Sequence, residues 1–501
     1  MTSTTIQPSR RIQFSLPFIA MLASLVLTLG VLLAMSYPKG WVAIVACVSI
    51  PLIWSGLRYP HLVVAFSIFL LFSNALVVAV KFHGMPPVVA SLGLPAALGS
   101  VWLYHLTVRR EPLVFPRAWL WALAFLGVQV LSAILSRHPD VALDTLKNHL
   151  IEGMGLFLIV CNVVRTRKCL EYVVVALLIA GSFLGGLSLY QQVTGTHRND
   201  YGGFAQVPME GKGFETDGHG RQRRSAGSLG EQNRYAQNLL MLIPLAVLPM
   251  SAACSVRRKS LYFVSALLIS AGCILTFSRG AAVAFVILIF VMKATGYLRT
   301  RHLMMVITAA LLFLLAFPQL LARMDAMGTL MGYLRADTGA QTEELDGAIT
   351  GRATSILAAI RVTADHPVLG VGPGNFPLYY QEYGKLGGFR ARQEDREAHI
   401  LYLHLSSEFG LLGLASFLGM VGVTLLGLHD VWKTHRQVDP AMAGLAAGFA
   451  MALFAYLLTG LFLHFSFIRF FWIILALACS VSMIAASDER RGQSASQPGV
   501  E

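Results

Sequence analysis

Residues 396–403 read Arg396-Glu397-Ala398-His399-Ile400-Leu401-Tyr402-Leu403, and they join a long polar segment to an apolar run. The polar segment, 323–398, is much longer than the about 12–15 residues above which a loop is usually functional or disordered. The apolar run, 399–428, exceeds the roughly 20 residues that a helix needs to cross a bilayer. The stretch therefore predicts a functional loop that returns to a membrane helix, with an imidazole at the mouth of that helix.

Apolar runs of this kind recur along the whole chain. Of its 501 residues, 55% are hydrophobic and 13% are charged, whereas soluble domains are close to 25% charged. Mean hydropathy is +0.63. We therefore expect an all-α polytopic membrane protein with about 12–14 transmembrane helices. The expected spans are about 13–36, 40–56, 60–80, 86–106, 118–136, 148–164, 170–193, 235–253, 260–277, 280–298, 303–322, 399–428, 441–462 and 468–487.

The distribution of basic residues predicts the orientation of these helices. The loops on one side are rich in Lys and Arg, whereas the short loops opposite hold only Lys39, Lys81, Arg137, Lys147, Arg279 and Arg469. By the positive-inside rule the basic side is cytoplasmic, so both termini are inside and both long loops face outward. Much of the net charge of +13 is then on the cytoplasmic side, and it requires no nucleic-acid partner.

The expected organisation follows from the spans and their orientation. Its parts are N-terminal transmembrane helices (1–193), a first outward loop (194–234), transmembrane helices (235–322), a large outward loop (323–398), C-terminal transmembrane helices (399–487) and a cytoplasmic tail (488–501).

The sequence gives little reason to expect a metal. None of the six cysteines lies in the long outward loops, which excludes a disulfide framework or a Cys-based zinc site there. The chain has no Asp-x-Asp pair. The acidic cluster Glu394-Asp395-Arg396-Glu397 alternates with basic charge, as a solvated loop end does. We therefore expect a metal-independent protein that has no cofactor.

Four local patterns stand out in the second half of the chain. As a group, the outward arginines near them favour an anionic ligand, with phosphate first, because the guanidinium fork matches phosphate bidentately. The patterns are Arg224-Ser225-Ala226-Gly227-Ser228 followed by Asn233-Arg234-Tyr235-Ala236 and Pro244; Thr276-Phe277-Ser278-Arg279-Gly280-Ala281; Gly351-Arg352 followed by 365–376 (DHPVLGVGPGNF); and His399-Ile400-Leu401-Tyr402-Leu403 followed by 408–413 (EFGLLG).

Two of these patterns hold the strongest candidate residues. Arg279 is a lone arginine in a tight outward turn, where it either snorkels to lipid phosphate or binds a ligand. The turn leaves little room to snorkel, which favours the ligand. His399 stands at the junction of loop and helix beside Arg396, and His149, His404 and His464 near other outward helix ends compete with it. The glycines of 370–374 follow no strand, so a shaped turn is favoured over a nucleotide-binding loop.

The four patterns, in this order and with this topology, resemble the O-antigen ligase family and the related O-antigen polymerases and protein O-oligosaccharyltransferases. The resemblance covers roughly residues 224–430, and the N-terminal half is similar only in hydropathy. It implies a GT-C-like membrane glycosyltransferase of the bacterial inner membrane, with helical loops and its active site on the periplasmic face. The expected donor is undecaprenyl-diphosphate-linked O-antigen, and the expected acceptor is lipid A core.

The resemblance also implies roles for individual residues. His399 is similar to the family's essential histidine, Arg279 and Arg352 to its two essential arginines, and Arg224 to a further basic position that binds the diphosphate. Secondary candidates are Arg361, Arg396 and Tyr402. Asn or Ser often follows the family's histidine, whereas Ile400 follows it here; that polar role is either dispensable or supplied elsewhere, for example by Tyr402.

Two other functions remain open at this stage. A polymerase or oligosaccharyltransferase would use the same donor and the same anion-binding arginines, and it would differ in where the glycan accumulates. A transporter or flippase belongs to another class, and it would commonly show internal repeats and helices broken near the bilayer midplane. The chain shows no convincing repeat, and its polar residues are concentrated in outward loops.

Overall fold

The structure is a computed structural model that describes residues 58–207, 214–217, 220–253, 255–298, 300, 304, 343–386 and 397–496. The predicted spans 13–36 and 40–56 and nearly all of 303–322 lie outside these residues, as does Arg396.

Helices dominate the described part of the chain. The N-terminal half contains α1 (Pro60–Phe72), α2 (Ala75–His83), α3 (Pro87–Leu103), α4 (Ala118–Ile134), α5 (Pro139–Asn148), α6 (Leu156–Val163) and α7 (Arg167–Thr194). The C-terminal half contains α8 (Gln232–Val247), α9 (Val256–Ile274), α10 (Arg279–Ala294), α11 (Glu343–Asp365), α12 (Phe376–Leu386), α13 (Leu401–His435), α14 (Pro440–Thr459) and α15 (Ile468–Ser496). Short π-helical turns, Tyr104–Val108 and His149–Gly155, extend α3 and link α5 to α6.

The helices confirm the expected fold class, an all-α polytopic membrane protein. Within the described residues, five helices are long and apolar enough to cross a membrane, and α1 with α2, bent by 56° at the break between them, could form a sixth span. The five are Pro87–Val108, Arg167–Thr194, Leu401–His435, Pro440–Thr459 and Ile468–Arg490. The total of 12–14 spans and the GT-C-like architecture stay predictions.

One small element departs from an entirely helical chain. Strand β1 (Phe214–Asp217) pairs antiparallel with β2 (Gly220–Arg223) within the first long loop. The hairpin leads directly into the Arg224–Ser228 pattern. The large loop contains the helices α11 and α12, so it is helical, as expected.

The centre of the bundle is formed by α14 and α15, which are buried over most of their lengths. Helix α14 begins at Asp439, whose carboxylate caps the amide of Met442 (3.2 Å) ahead of Pro440 in the first turn. It is rich in alanine and glycine, and a Cβ added to Gly448 would lie 3.1 Å from the side chain of Leu245 in α8. Small residues allow such close packing of apolar helices, and here they bring α8 and α14 together.

Helix α13 is broken at Gly410, whose φ of 67° and ψ of −174° are accessible essentially only to glycine. At the break, the chain from Pro367 to Gly372 pairs with the helix backbone. The amide of Leu411 donates to the carbonyl of Pro367 (2.7 Å), and the amides of Val371 and Gly372 donate to Ser407 (2.9 Å) and Glu408 (3.0 Å). The interruption of α13 therefore creates a docking place for the glycine-rich segment.

The glycines of this segment form the shaped turn that the sequence favoured. Gly370, Gly372 and Gly374 all have positive φ. A Cβ on Gly370 would overlap the backbone of Glu408, and one on Gly410 would overlap the carbonyl of Val368. The two backbones approach so closely that neither position has room for a side chain.

The close approach of residues 367–372 to the backbone of α13 at Gly410 makes a prediction about stability. Gly410→Ala should lower the thermal unfolding midpoint of the detergent-solubilised protein, because strained backbone of this type costs about 1–3 kcal/mol before the overlap with Val368 is counted. Gly422→Ala is the matched control on the same helix, since a Cβ there meets nothing within 4 Å and alanine is favoured in a helix. Equal unfolding midpoints for the two variants would contradict the requirement for glycine at position 410.

Candidate active site

His399 lies in the short link Glu397–Ile400 that leads into α13. It has a left-handed backbone conformation (φ 54°) and is partly buried. The amide of Leu401 donates to the carbonyl of Gly460 (2.7 Å), which attaches the start of α13 to the end of α14. The histidine is therefore held where two helix ends meet, at the junction that the sequence predicted.

Three histidines from different segments form a row. The ring of His464, from the link between α14 and α15, lies edge to face with His399 at 6.0 Å and parallel to His404 of α13 at 5.8 Å, with an interplanar angle of 7°. The sequence presented His404 and His464 as competitors of His399. The structure instead places all three together. His149 is hydrogen-bonded to Gln129 (2.9 Å) and packs on Phe465, the residue after His464 (5.7 Å between ring centroids).

His404 lies between two carboxylates. Its Nε2 is 3.0 Å from Glu408 Oε2, and its Nδ1 is 3.5 Å from Glu397 Oε2. Since both ring nitrogens face carboxylate oxygens, the arrangement suits a doubly protonated imidazolium. Buried Glu408 also accepts from the amides of Gly374 (2.9 Å) and Phe376 (3.3 Å). One carboxylate thus joins the histidine row to the glycine-rich segment.

Glu397, His404 and Glu408 are also the described residues closest to a metal-ligand set. One ligand atom from each lies within 4.8 Å of the others. The carboxylate of Glu408, however, already accepts two amide hydrogen bonds and the one from His404. The geometry therefore corresponds to an internally hydrogen-bonded ion-pair cluster, and the expectation of a metal-independent site stays a prediction.

Burial sets the protonation of the groups at the edge of this cluster. Burial, with the neighbouring charge of Glu408, raises the pKa of Glu397, against the lowering effect of His404 and Arg234. Burial lowers the pKa of His464 well below its ordinary value, and electrostatic interactions with Arg234, His404 and His399 lower it further. His464 is therefore a neutral imidazole beside His399.

Arg224 is attached to the Ser-Arg-Gly turn. Its Nε donates to the carbonyl of Thr276 (2.9 Å), and its Nη2 donates to Asn233 Oδ1 (3.2 Å). The amide of Ser225 adds a hydrogen bond to Leu275 (3.1 Å). The first long loop is therefore docked beside Arg279, so two of the predicted arginines come from neighbouring backbone segments.

Arg279 is exposed at the first position of α10, which is capped by Ser278. A Cβ on Gly280 would lie 2.8 Å from the ring of Phe462, so this turn packs against the link between α14 and α15. The same link carries His464. It therefore connects the Arg279 turn with the histidine row.

The remaining predicted residues have different positions. Arg352 and Arg361 are both on α11, where Arg361 is exposed and the side chain of Arg352 is outside the described structure. The hydroxyl of Tyr402 donates to the carbonyl of Leu457 (2.8 Å), a contact between α13 and α14.

Arg234 was not among the predicted site residues. It is in the first turn of α8 and only 2% exposed. Its Nη1 is 3.4 Å from Gln237 Oε1, and its Nε is 3.7 Å from Glu231 Oε2. In the sequence, Arg234 stands at the start of an apolar run, as Arg396 does, and this position was the only signal for it. The sequence could not show that its guanidinium group is buried.

The long apolar helices and the polar cluster between their ends define a polytopic membrane protein with a candidate active site at helix termini. Residues 264–418 match the family model described as O-Antigen ligase. This match confirms the predicted resemblance and indicates a glycosyl-transfer enzyme of the O-antigen ligase type. The matched stretch contains Arg279, Arg352 and His399, and it omits Arg234 and His464. No curated protein matches the chain.

The raised pKa of Glu397 makes a prediction about pH. Since folding favours its protonated form, the contribution to stability is fully present below its ordinary pKa, about 4.5, and is lost as pH rises through the higher folded value. Glu397→Gln removes this titration. The unfolding midpoint of the variant should therefore match that of the wild type near pH 4 and exceed it increasingly toward pH 8.

Asp430→Asn is the control for this experiment, because Asp430 is an exposed acid on α13 and its replacement should give no such trend. A Glu397→Gln protein that is less stable than the wild type at pH 8 would contradict the prediction. It would show that the Glu397 carboxylate is needed as a counter-charge for His404.

Proposed function

We propose that this protein transfers O-antigen glycan from undecaprenyl diphosphate to a sugar hydroxyl of lipid A core, at the periplasmic face of the bacterial inner membrane. One observation carries the proposal. His399 and the Arg279 turn, which come from separate regions of the family match, both contact the link between α14 and α15. The residue that we propose as the base and the turn of the arginine that we propose to bind the anion thus contact the same short link.

The arginines suit the leaving group. The donor is a sugar 1-diphosphate, and its glycosidic C–O bond breaks with the electron pair moving to the diphosphate oxygen. Arg279, Arg352 and Arg224 would stabilise this charge, and preorganised donors of this kind are typically worth about 10²–10³ in rate each. The already anionic leaving group needs no strong acid.

The histidine suits the acceptor. A sugar hydroxyl is too weakly acidic to ionise alone, and an imidazole with a reference pKa near 6.5 can take its proton as the oxygen attacks. General-base assistance contributes roughly 10²–10⁴-fold. The acceptor oxygen forms the new bond to the anomeric carbon while the proton passes to His399. Direct attack, without a covalent enzyme intermediate, inverts the anomeric centre.

The test is transfer by purified variants. His399→Ala, Arg279→Ala and Arg352→Ala should each lower the rate of glycan transfer by about 10²-fold or more, while their unfolding midpoints stay close to that of the wild type. His429→Ala is the control, because His429 is exposed on the far part of α13 beside Trp432 and should transfer glycan normally. Full activity in all three site variants would refute the proposed mechanism.

The related polymerase reaction uses the same donor and the same residues, and the family match is compatible with it. The position of the product distinguishes the two. A ligase leaves the glycan on lipid A core, whereas a polymerase lengthens the glycan on undecaprenyl diphosphate.

A further inference from the structure

The guanidinium group of Arg234 is buried without matching partners. Its two contacts are long, 3.4 Å to Gln237 and 3.7 Å to Glu231, and within the described chain its Nη2 has no hydrogen-bond partner. Buried polar groups are almost always hydrogen-bonded, and Glu231 offers this charge only one long contact. The Nη2 atom of Arg234 therefore has a hydrogen bond to donate that no described residue accepts.

Two further polar atoms next to Arg234 share this property. The hydroxyl of Tyr456 in α14 and Nδ1 of His464 are buried, and neither has a partner among the residues that the structure describes. The charge of Arg234 acts on both groups, and α8 contacts α14 nearby, where Gln237 donates a hydrogen bond to Thr459 (2.9 Å). Three separate segments thus contribute a buried guanidinium, a buried phenol and a buried imidazole with unused hydrogen-bonding atoms, and all three can donate hydrogen bonds.

The negative groups of the cluster leave Arg234 incompletely paired. Glu231 accepts from the amides of Asn233 and Arg234 and is 40% exposed. Glu397 faces His404, and Glu408 is engaged by His404 and two amides. None of these carboxylates therefore accepts a hydrogen bond from Nη2 of Arg234, which has no partner among the described residues.

Arg234 is also close to an arginine already assigned to the diphosphate. Asn233, its neighbour in α8, accepts a hydrogen bond from Arg224 (3.2 Å). Arg224 is partly buried and Arg279 is exposed, whereas Arg234 is the most deeply buried of the three. Of these three arginines, Arg234 is thus the one whose charge is most shielded from solvent.

We propose that Arg234, Tyr456 and His464 form an inner phosphate subsite, which binds oxygens of the polyprenyl diphosphate donor beyond those held by Arg224 and Arg279. This inference rests on the proposed function. Arg234 provides charge and a bidentate fork, and Tyr456 and His464 each donate one hydrogen bond. The neutral state of His464 leaves one ring nitrogen protonated for that purpose. Filling the subsite would satisfy all three buried groups.

The first experiment measures binding of inorganic pyrophosphate to the full-length protein in nanodiscs by calorimetry. Arg234→Gln should weaken the affinity at least tenfold, and Arg234→Lys, which keeps the charge but loses the fork, should lie between it and the wild type. Tyr456→Phe should weaken binding several-fold. It keeps the ring that packs on Phe471 (4.8 Å), so it tests the subsite even where Arg234→Gln fails to fold.

The control is Arg258→Gln, because Arg258 is an exposed arginine at the start of α9 that pairs with Glu171 (3.3 Å). This variant should bind pyrophosphate as the wild type does. Wild-type affinity in Arg234→Gln, Arg234→Lys and Tyr456→Phe would overturn the subsite, as would a wild-type protein that does not bind pyrophosphate.

Transfer kinetics test whether the inner subsite binds the diphosphate of the donor or a phosphate of the acceptor. Arg234→Lys should raise KM for the polyprenyl diphosphate donor several-fold and leave KM for the lipid A core acceptor unchanged. A rise in acceptor KM alone would overturn the assignment to the donor.

The inference and the proposed function can fail separately. His399→Gln should abolish transfer, as the proposed function requires, whereas only the Arg234 and Tyr456 variants should lose pyrophosphate affinity, as the inner subsite requires. Full transfer activity in His399→Gln would count against the proposed function, whatever happens at Arg234. Loss of transfer in His399→Gln with normal pyrophosphate binding in the Arg234 and Tyr456 variants would overturn the inner subsite alone.

Discussion

The carboxylate of Glu408 is the contact on which the candidate site depends. It accepts hydrogen bonds from Gly374, Phe376 and His404, and so joins the glycine-rich segment, the start of α12 and the histidine row. It can do so because α13 breaks at Gly410, two residues later, where the helix backbone pairs with the chain at Pro367. A buried carboxylate is costly unless its oxygens are hydrogen-bonded. The burial of Glu408 and the break of α13 at Gly410 therefore depend on each other.

This arrangement explains how a membrane protein can fix residues of a long loop. Loop side chains are usually poorly positioned, and a productive site needs its groups held within about half an ångström. Here the glycine-rich segment is paired with the backbone of α13, and the start of α13 is hydrogen-bonded to the end of α14 at Gly460. The link that follows α14 then contacts both His399 and the turn of Arg279. The helix bundle thereby supplies rigidity to residues outside it.

The sequence was sufficient for the fold class and for the position of His399, because hydropathy and the boundary between loop and helix are local features. It also predicted the shaped turn at 370–374, whose glycines have positive φ. It could not identify Arg234 or the row of His399, His464 and His404, because these depend on contacts between distant segments. The hairpin before Arg224 was missed as well. The count of 12–14 spans, the domain boundaries and the catalytic roles stay predictions.

The most direct test is transfer by the purified protein in liposomes without an ion gradient, supplied with undecaprenyl-diphosphate glycan and lipid A core in the presence of a chelator. We predict that glycan appears on lipid A core at the same rate with and without the chelator. Product confined to undecaprenyl diphosphate would indicate a polymerase instead. A complete absence of transfer, or activity that is lost in the chelator, would contradict a metal-independent ligase.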